Sequence, residues 1–150
     1  MRIRAHHLLC MQGFQGYGYS KEFAEAMALV VEYIRGNQNL ELELTAGCDE
    51  ICIHCPHNVD YTCKDPDADE NIKRMDKTVL QKLGIIEGSN VEAGMIFGYV
   101  NETFRTREDA MEVCGDCIWS DKCLWFMGKP IQTFSYFFAT DFLAVGSPIL

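Results

Sequence analysis

The stretch "SKEFAEAMALVVEYIRGN" at residues 20–37 carries the clearest folding signal in the chain. Its apolar residues recur every three or four positions, which is the spacing of the buried face of an α-helix. Ser20 has a side chain preferred at the N-cap of a helix, and Gly36 stands where a C-cap glycine is expected. The pattern predicts a helix over residues 20–36. Its buried face would consist of Phe23, Met27, Val30, Val31 and Ile34.

Three segments further along the chain combine a capping-box pattern with helical apolar spacing. The capping boxes are "DADE" at residues 67–70, "SNVE" at residues 89–92 and "TRED" at residues 106–109. The predicted helices lie near residues 68–83, 90–103 and 107–113. By contrast, "LELEL" at residues 40–44 alternates apolar and acidic residues, which is the pattern of a half-buried strand. We therefore expect a mainly α fold of about four to five helices with one short strand or hairpin.

Length and the distribution of charge predict one domain with a distinct tail. A chain of 150 residues without an evident linker most simply forms one domain, which here covers residues 1–129. From residue 130 to residue 150 the only charged side chain is Asp141. Because Asp141 divides this apolar stretch, no run reaches the roughly 20 residues that a membrane helix needs. We expect residues 130–150 to form a hydrophobic C-terminal tail that docks on the domain.

The net charge and the first residues of the chain limit the partners and the cellular compartment that we expect. The net charge of −9 and the pI near 4.8 argue against nucleic acid and anionic lipid as partners, because both carry negative charge. In "MRIRAHHLLCMQGF" at residues 1–14, two histidines interrupt the apolar run that a secretory signal requires. We therefore expect a cytoplasmic protein with reduced thiols. In that compartment, dense cysteine patterns indicate metal binding or catalysis more often than disulfides.

Most of the eight cysteines fall into two clusters, "CDEICIHCPHN" at residues 48–58 and "CGDCIWSDKC" at residues 114–123. The first cluster has C-x3-C-x2-C spacing, and the second has C-x2-C-x5-C spacing. In a C-x2-C pair the two thiolates converge on one metal ion or one corner of a cluster, so two such pairs with further thiols nearby indicate a metal protein. Loops organised by cysteine-ligated metal are expected. The candidate ligands are Cys10, Cys48, Cys52, Cys55, Cys63, Cys114, Cys117 and Cys123.

Two ways of sharing these thiols stay open. In the first, every cysteine is used at one of two sites. We name Cys48, Cys52, Cys55 and Cys63 the first thiol set, and Cys10, Cys114, Cys117 and Cys123 the second thiol set. In the alternative, one shared site takes the thiols at positions 52, 55, 63, 114, 117 and 123, Cys48 is free, and Cys10 belongs to the core.

All four histidines lie within four positions of a cysteine. Imidazole is a common alternative ligand at thiolate sites and a common hydrogen-bond donor to the ligands themselves. On a helix, His7 and Cys10 would share one face, with His6 beside them. The four candidates for these roles are His6, His7, His54 and His57.

Four strings of the sequence together resemble domain of unknown function family 1284: "RAHHLLC" at residues 4–10, "GFQGYGYS" at residues 13–20, "CIHCP" at residues 52–56 and "CGDCIW" at residues 114–119. The resemblance covers roughly residues 2–125. The family consists of small bacterial and archaeal proteins for which iron–sulfur binding is suspected. The resemblance therefore implies an iron–sulfur cluster ahead of zinc, but it implies no reaction.

Three functional hypotheses follow. The first is an iron–sulfur protein, with a 4Fe-4S cluster and a role in electron transfer or redox sensing with an unidentified partner. The second is a structural zinc protein that acts as an interaction module. The third is a thiol–disulfide oxidoreductase that uses the "CGDC" motif, but that chemistry favours a helix that begins at Cys114. "REDAMEV" at residues 107–113 instead predicts a helix that ends there. No residue is assigned a catalytic role.

Overall fold

A computed structural model describes residues 1–64, 66–115 and 117–128, except for the side chains of residues 66–69. Within this part, helices α1 to α6 span His7–Gly13, Lys21–Gly36, Pro66–Leu83, Ala93–Thr103, Arg107–Cys114 and Leu124–Met127. Strands β1 to β5 span Arg2–Arg4, Glu41–Thr45, Asn58–Val59, Thr62–Cys63 and Asn90–Glu92. The molecule is therefore a small, mainly α domain with a few short strands. The tail predicted for residues 130–150 lies outside the described residues.

Helix α2 follows its sequence pattern closely. The Ser20 hydroxyl accepts a hydrogen bond from the backbone N–H of Phe23 at 3.1 Å, as expected for an N-cap. Phe23 and Ile34 are buried on the predicted face. At the other end, Gly36 is still helical, and the C-cap is Asn37 with a φ of −135°. The expected glycine cap is therefore wrong, because this helix ends without a left-handed residue.

The segment at residues 40–44, in which leucine and glutamate alternate, forms most of the central strand of a small sheet. Strand β2 pairs in parallel with β1 and antiparallel with β5, in the order β1-β2-β5. Leu42 and Leu44 are fully buried, whereas the glutamates between and before them are not. The half-buried strand predicted at this position is confirmed.

The helix predicted from residue 90 begins later than expected. Residues Asn90–Glu92 form strand β5, with Val91 opposite Leu42 in β2. Helix α4 starts only at Ala93. The capping box expected at residues 89–92 is therefore wrong. Pairing with a distant strand satisfies the backbone groups of this segment, and such pairing overrides a local capping pattern.

The numbers of helices and strands also differ from expectation. The described residues contain six helices instead of four or five, and five short strands instead of one strand or hairpin. The additional elements are too short to show a clear periodicity in sequence, because β1 and β5 have three residues each and α6 has four. The described part has no helix that combines the length and apolar character needed to cross a membrane.

Helix α5 confirms the third capping box. The Thr106 hydroxyl accepts from the backbone N–H of Asp109 at 3.1 Å, and the Asp109 carboxylate accepts from the backbone N–H of Thr106 at 2.8 Å. The helix ends at Cys114, as "REDAMEV" predicts. Helix α3 begins at Pro66, two residues before its predicted start, and proline is favoured at the first position of a helix.

Two contacts place α1 against α6. The indole Nε1–H of Trp125 donates to the backbone carbonyl of Leu9 at 2.9 Å. At Gly13, an added Cβ would overlap the Cys123 Sγ and crowd the Trp125 ring. Glycine is therefore needed at this position for the close approach of the two segments. The approach brings Cys10, on α1, to the side of the molecule where the chain leaves α5.

Candidate metal-binding site

The cysteines line two adjoining cavities. The larger has a volume of about 520 Å³ and the smaller of about 60 Å³, and they share lining residues that include His6, His7 and Tyr19. Cys55 and Cys63 line both cavities. The remaining thiols divide between them: Cys48 and Cys52 line the smaller cavity, and Cys10, Cys114, Cys117 and Cys123 line the larger. All eight candidate thiols therefore border one continuous region of the molecule.

The second thiol set is drawn from distant parts of the chain. Cys10 lies on α1, Cys114 is the last residue of α5, and Cys123 is the N-cap of α6. Burial raises the pKa of Cys10 well above its usual value, and the neighbouring thiols of the same set raise it further. Burial likewise raises the pKa of Cys114 to about 12, with contributions from Cys117 and Cys123. These four thiols are close enough to influence one another's charge.

The first thiol set comes from one continuous segment between β2 and α3. Cys52 begins a single 3-10 turn, and the backbone N–H of Cys55 closes it on the Cys52 carbonyl at 2.9 Å. The Asn58 side chain donates to the same carbonyl at 2.9 Å. Burial raises the pKa of Cys55, and the thiols of Cys63 and Cys48 add to this shift. The first thiol set therefore comes from a single segment of the chain, whose backbone and side-chain hydrogen bonds bring the thiols together.

The thiols are gathered but are not arranged around a common point. All eight cysteines are free. In the described part of the chain, no three His, Cys, Asp or Glu side chains form a group arranged to hold a metal ion. Ligation by these cysteines stays a prediction.

His6 is oriented by a buried carboxylate that sequence reasoning did not single out. Its ring Nδ1 lies 2.7 Å from Oδ1 of Asp76, on α3, and its backbone N–H donates to the same oxygen at 3.0 Å. Arg4 donates from Nε to the other oxygen of Asp76 at 2.8 Å. Burial acts to raise the pKa of Asp76, but His6 and Arg4 outweigh it and hold that pKa below its usual value.

His7 is oriented in the same way by a second buried carboxylate. Its ring Nδ1 lies 2.7 Å from Oδ2 of Asp49. The backbone N–H groups of Arg4 and Cys52 donate to Asp49 at 2.7 Å and 2.9 Å. Burial acts to raise the pKa of Asp49, but the charge and hydrogen bond of His7 and these amide groups lower it far below its usual value. Asp49 thus links β1, α1 and the first thiol set.

Comparison with known proteins gives a family but no function. The model of one protein family, described as a protein of unknown function (DUF1284), matches residues 18–123. The chain belongs to this family. The match spans the first thiol set and three thiols of the second, whereas "RAHHLLC" at residues 4–10 precedes it. No curated protein and no solved structure is significantly similar to the chain.

The two remaining histidines of this DUF1284 protein lie in different positions. His57 lines both cavities, and its ring contacts Tyr19 edge-on with the centroids 5.0 Å apart. His54 lies on the exposed 3-10 turn and lines neither cavity. Of the four histidine candidates, the structure therefore brings three to the cavities.

Asp49, Asp76 and Arg4 are the site residues that the sequence interpretation missed. A signal was present for Asp76, which stands on the apolar face of α3, four positions from Ile72 and four from Leu80. A charged residue on such a face is buried only with a partner. Asp49 lies inside the first cluster, between two candidate ligands. Arg4 offered no comparable signal, because its role depends on a contact with a residue 72 positions away.

Proposed function

We propose that this DUF1284 protein binds a 4Fe-4S iron–sulfur cluster in the larger cavity through the second thiol set, and that it serves electron transfer or redox sensing in the cytoplasm. The single observation that carries the proposal is the grouping of thiols from α1, α5, the loop after it and α6 along one cavity of about 520 Å³. Four cysteine thiolates are the usual ligand set of such clusters.

The residues around the cavity fit a group larger than one ion. Four thiols around a single zinc ion need little space, since each Zn–S bond is only about 2.3 Å long. The larger cavity exceeds that need, and Trp119, Trp125 and Phe126 are among the aromatic side chains that wall it. Gly13 leaves room for the Cys123 Sγ beside α1. When bound, the cluster would supply one-electron redox chemistry, with a potential set by burial, charge and hydrogen bonds to sulfur.

The thiols themselves determine how loading depends on protons. Burial raises the pKa of Cys10 and raises that of Cys114 to about 12, so both thiols are protonated at neutral pH before they coordinate metal. Coordination requires the thiolate, and loading therefore releases protons to solvent.

Zinc is the second candidate, and the smaller cavity favours it for the first thiol set. A volume of about 60 Å³ suits one ion, and Cys48, Cys52, Cys55 and Cys63 all line this cavity. A C-x2-C turn such as that of Cys52 and Cys55 is common in structural zinc sites. In this alternative the ion ties the loop after β2 to β4 and supports an interaction surface.

The observations do not favour a thiol–disulfide oxidoreductase. Reactive cysteines of that class have a lowered pKa, commonly at the N-terminus of a helix. Cys114 instead lies at the C-terminal end of α5, where the helix dipole is negative. Burial and the neighbouring thiols also raise its pKa to about 12.

Anaerobic purification with metal, sulfide and spectroscopic analysis tests the proposal. We expect brown protein with about four iron and four sulfide per cluster, and an electron paramagnetic resonance signal on reduction or oxidation. Cys117→Ser should lose this cluster, whereas Tyr61→Ser, on the exposed turn between β3 and β4, should retain it. Colourless protein with zinc at both sets after reconstitution with iron and sulfide would refute the iron–sulfur proposal.

A further inference from the structure

Two adjacent imidazole rings, those of His6 and His7, stand at the wall that the two cavities share. Their exposed fractions are 8% and 7%, and their ring centroids lie 4.3 Å apart. Both rings line the larger and the smaller cavity. They therefore lie between the two thiol sets and have access to both.

The carboxylates determine which ring nitrogen is available. Asp76 receives the Arg4 guanidinium, and Asp49 receives two backbone N–H groups, so each carboxylate is surrounded by donors and acts as an acceptor. Each ring therefore donates Nδ1–H to its carboxylate, and the neutral ring carries its lone pair on Nε2. The Nδ1 edge faces a fully buried carboxylate in both cases, which leaves the Nε2 edge to line the cavities.

These Nε2 atoms have no hydrogen-bond partner within the described ranges 1–64, 66–115 and 117–128, and neither is a fully buried atom, so both are accessible to a ligand. An accessible imidazole nitrogen that keeps its lone pair is able to bind a metal ion. Metal-binding histidines nearly always donate their other ring N–H to a carboxylate or a carbonyl, which fixes the tautomer and the ring orientation. His6 and His7 both have this arrangement.

We propose that His6 and His7 bind one divalent transition-metal ion through their Nε2 atoms, at the wall between the two thiol sets. Imidazole suits ions such as Zn²⁺, Co²⁺ and Fe²⁺. Two protein ligands leave the other coordination positions to water or to a small molecule, which is the character of an open site and not of a closed structural one. The site does not depend on what the thiols hold.

The test first removes the thiols from competition. Reduced full-length protein is titrated with Cd²⁺ until the sulfur-to-cadmium absorption saturates, and Co²⁺ is then added. We expect one Co²⁺ per chain, with weak visible bands and without sulfur-to-cobalt absorption. Co²⁺ that binds only with a sulfur-to-cobalt band, or no binding of Co²⁺, would overturn the proposal.

A second measurement identifies the ligands without any substitution. The protein is labelled with ¹⁵N-histidine and saturated with cadmium. Added Zn²⁺ should then shift the Nε2 resonances of His6 and His7, whereas the Nδ1 resonances should keep the chemical shift of a protonated ring nitrogen. The exposed His54 serves as the internal control and should not shift at the same Zn²⁺ concentration. Unchanged His6 and His7 resonances at saturating Zn²⁺ would overturn the site.

Variants complete the assignment. His6→Gln and His7→Gln retain an N–H donor for Asp76 and Asp49 but lack the imidazole ligand, and each should weaken Co²⁺ binding at least about tenfold relative to His54→Gln. Wild-type affinity in both folded variants would overturn the proposal. The iron content measured for the thiols is a separate result, so a failed iron–sulfur proposal and a failed imidazole site are distinguishable.

Discussion

The two thiol sets reach their cavities by different routes. The first set lies within a short segment between β2 and α3, where a 3-10 turn and the β3–β4 hairpin hold it together. The second set needs α1 to pack against α6, because Cys10 is far in sequence from the other three thiols. The first set is thus organised locally, and the second depends on the tertiary fold.

The difference has an energetic consequence. A change that loosens the contact between the C-terminal end of α1 and α6 should affect the second set more than the first, because the contact of α1 with Asp49 is made by His7 at the opposite end of the helix. A change to the buried Arg4–Asp76 ion pair should affect both sets, because it can shift β1, and the backbone N–H of Arg4 in β1 donates to Asp49. Measurements of stability and of metal content on the same variants can therefore distinguish a thiol set that is organised locally from one that depends on the tertiary fold.

The largest expected effect on stability is that of Asp76→Asn. The substitution leaves the buried Arg4 guanidinium without its carboxylate, and breaking one side of such a pair typically costs about 3–5 kcal/mol. We expect a loss of this size in the free energy of unfolding from urea titration of the metal-free protein.

The matched control for Asp76→Asn is Glu43→Gln. Arg2 on β1 and Glu43 on β2 form an exposed ion pair at 3.0 Å, and such pairs contribute about 0–1 kcal/mol. Equal losses in the two variants would show that the Arg4–Asp76 pair does not organise this region.

Gly13→Ala should separate the two sets. Its Cβ would overlap the Cys123 Sγ and the Trp125 ring, and overpacking of this kind typically costs about 1–3 kcal/mol. We expect reduced metal content at the second thiol set and unchanged content at the first, measured per chain after reconstitution.

Gly36→Ala is the control for the glycine substitution. Nothing lies within 4 Å of a Cβ at Gly36, which is the last residue of α2. Its metal content should equal that of the wild type. A Gly13→Ala protein that loads both sets fully would contradict the dependence of the second set on the packing of α1.

The smallest expected effect is a pH dependence at the N-terminus of α5, the helix that ends at Cys114. Hydrogen bonds from the backbone of Thr106 and Arg105 hold the pKa of Asp109 below its usual value. A carboxyl group with a lowered pKa in the folded state stabilises the fold above its unfolded pKa of about 3.9, and this stabilisation is lost as the pH falls through the lower folded value.

Asp109→Asn tests this dependence. The difference in unfolding free energy between wild type and variant should be constant from about pH 5 to pH 7 and should shrink below about pH 4. A difference that grows on acidification would contradict the capping role of the carboxylate.

The sequence predicts the locally determined parts of this fold well. The Ser20 cap, the Thr106–Asp109 capping box and the alternation in β2 depend on neighbours a few residues away, and the structure contains all three. Strand β5 was predicted as helix because its pairing with β2 depends on residues about 50 positions away.

In the candidate site, too, the sequence indicates the residues that are grouped locally and misses contacts between distant parts of the chain. The spacing of the cysteine clusters indicates the first thiol set directly, whereas Cys10 joins the second set in the sequence interpretation only because it is the cysteine left over. The structure supplies a physical reason, since Cys10, Cys114, Cys117 and Cys123 line one cavity. Asp49 and Asp76 could not be assigned to His7 and His6 from sequence, because each pair joins residues at least 42 positions apart.

We propose that the two thiol sets hold separate metal centres, with the iron–sulfur cluster at the second. The most direct test compares iron, sulfide and zinc per chain in Cys10→Ser and Cys48→Ser after identical anaerobic reconstitution. We predict that Cys10→Ser loses the iron and sulfide of one cluster and keeps the metal of the first set, because each site organises its own ligands. Cys48→Ser should show the reverse. Unchanged metal stoichiometry in Cys10→Ser would contradict the account and return Cys10 to the hydrophobic core.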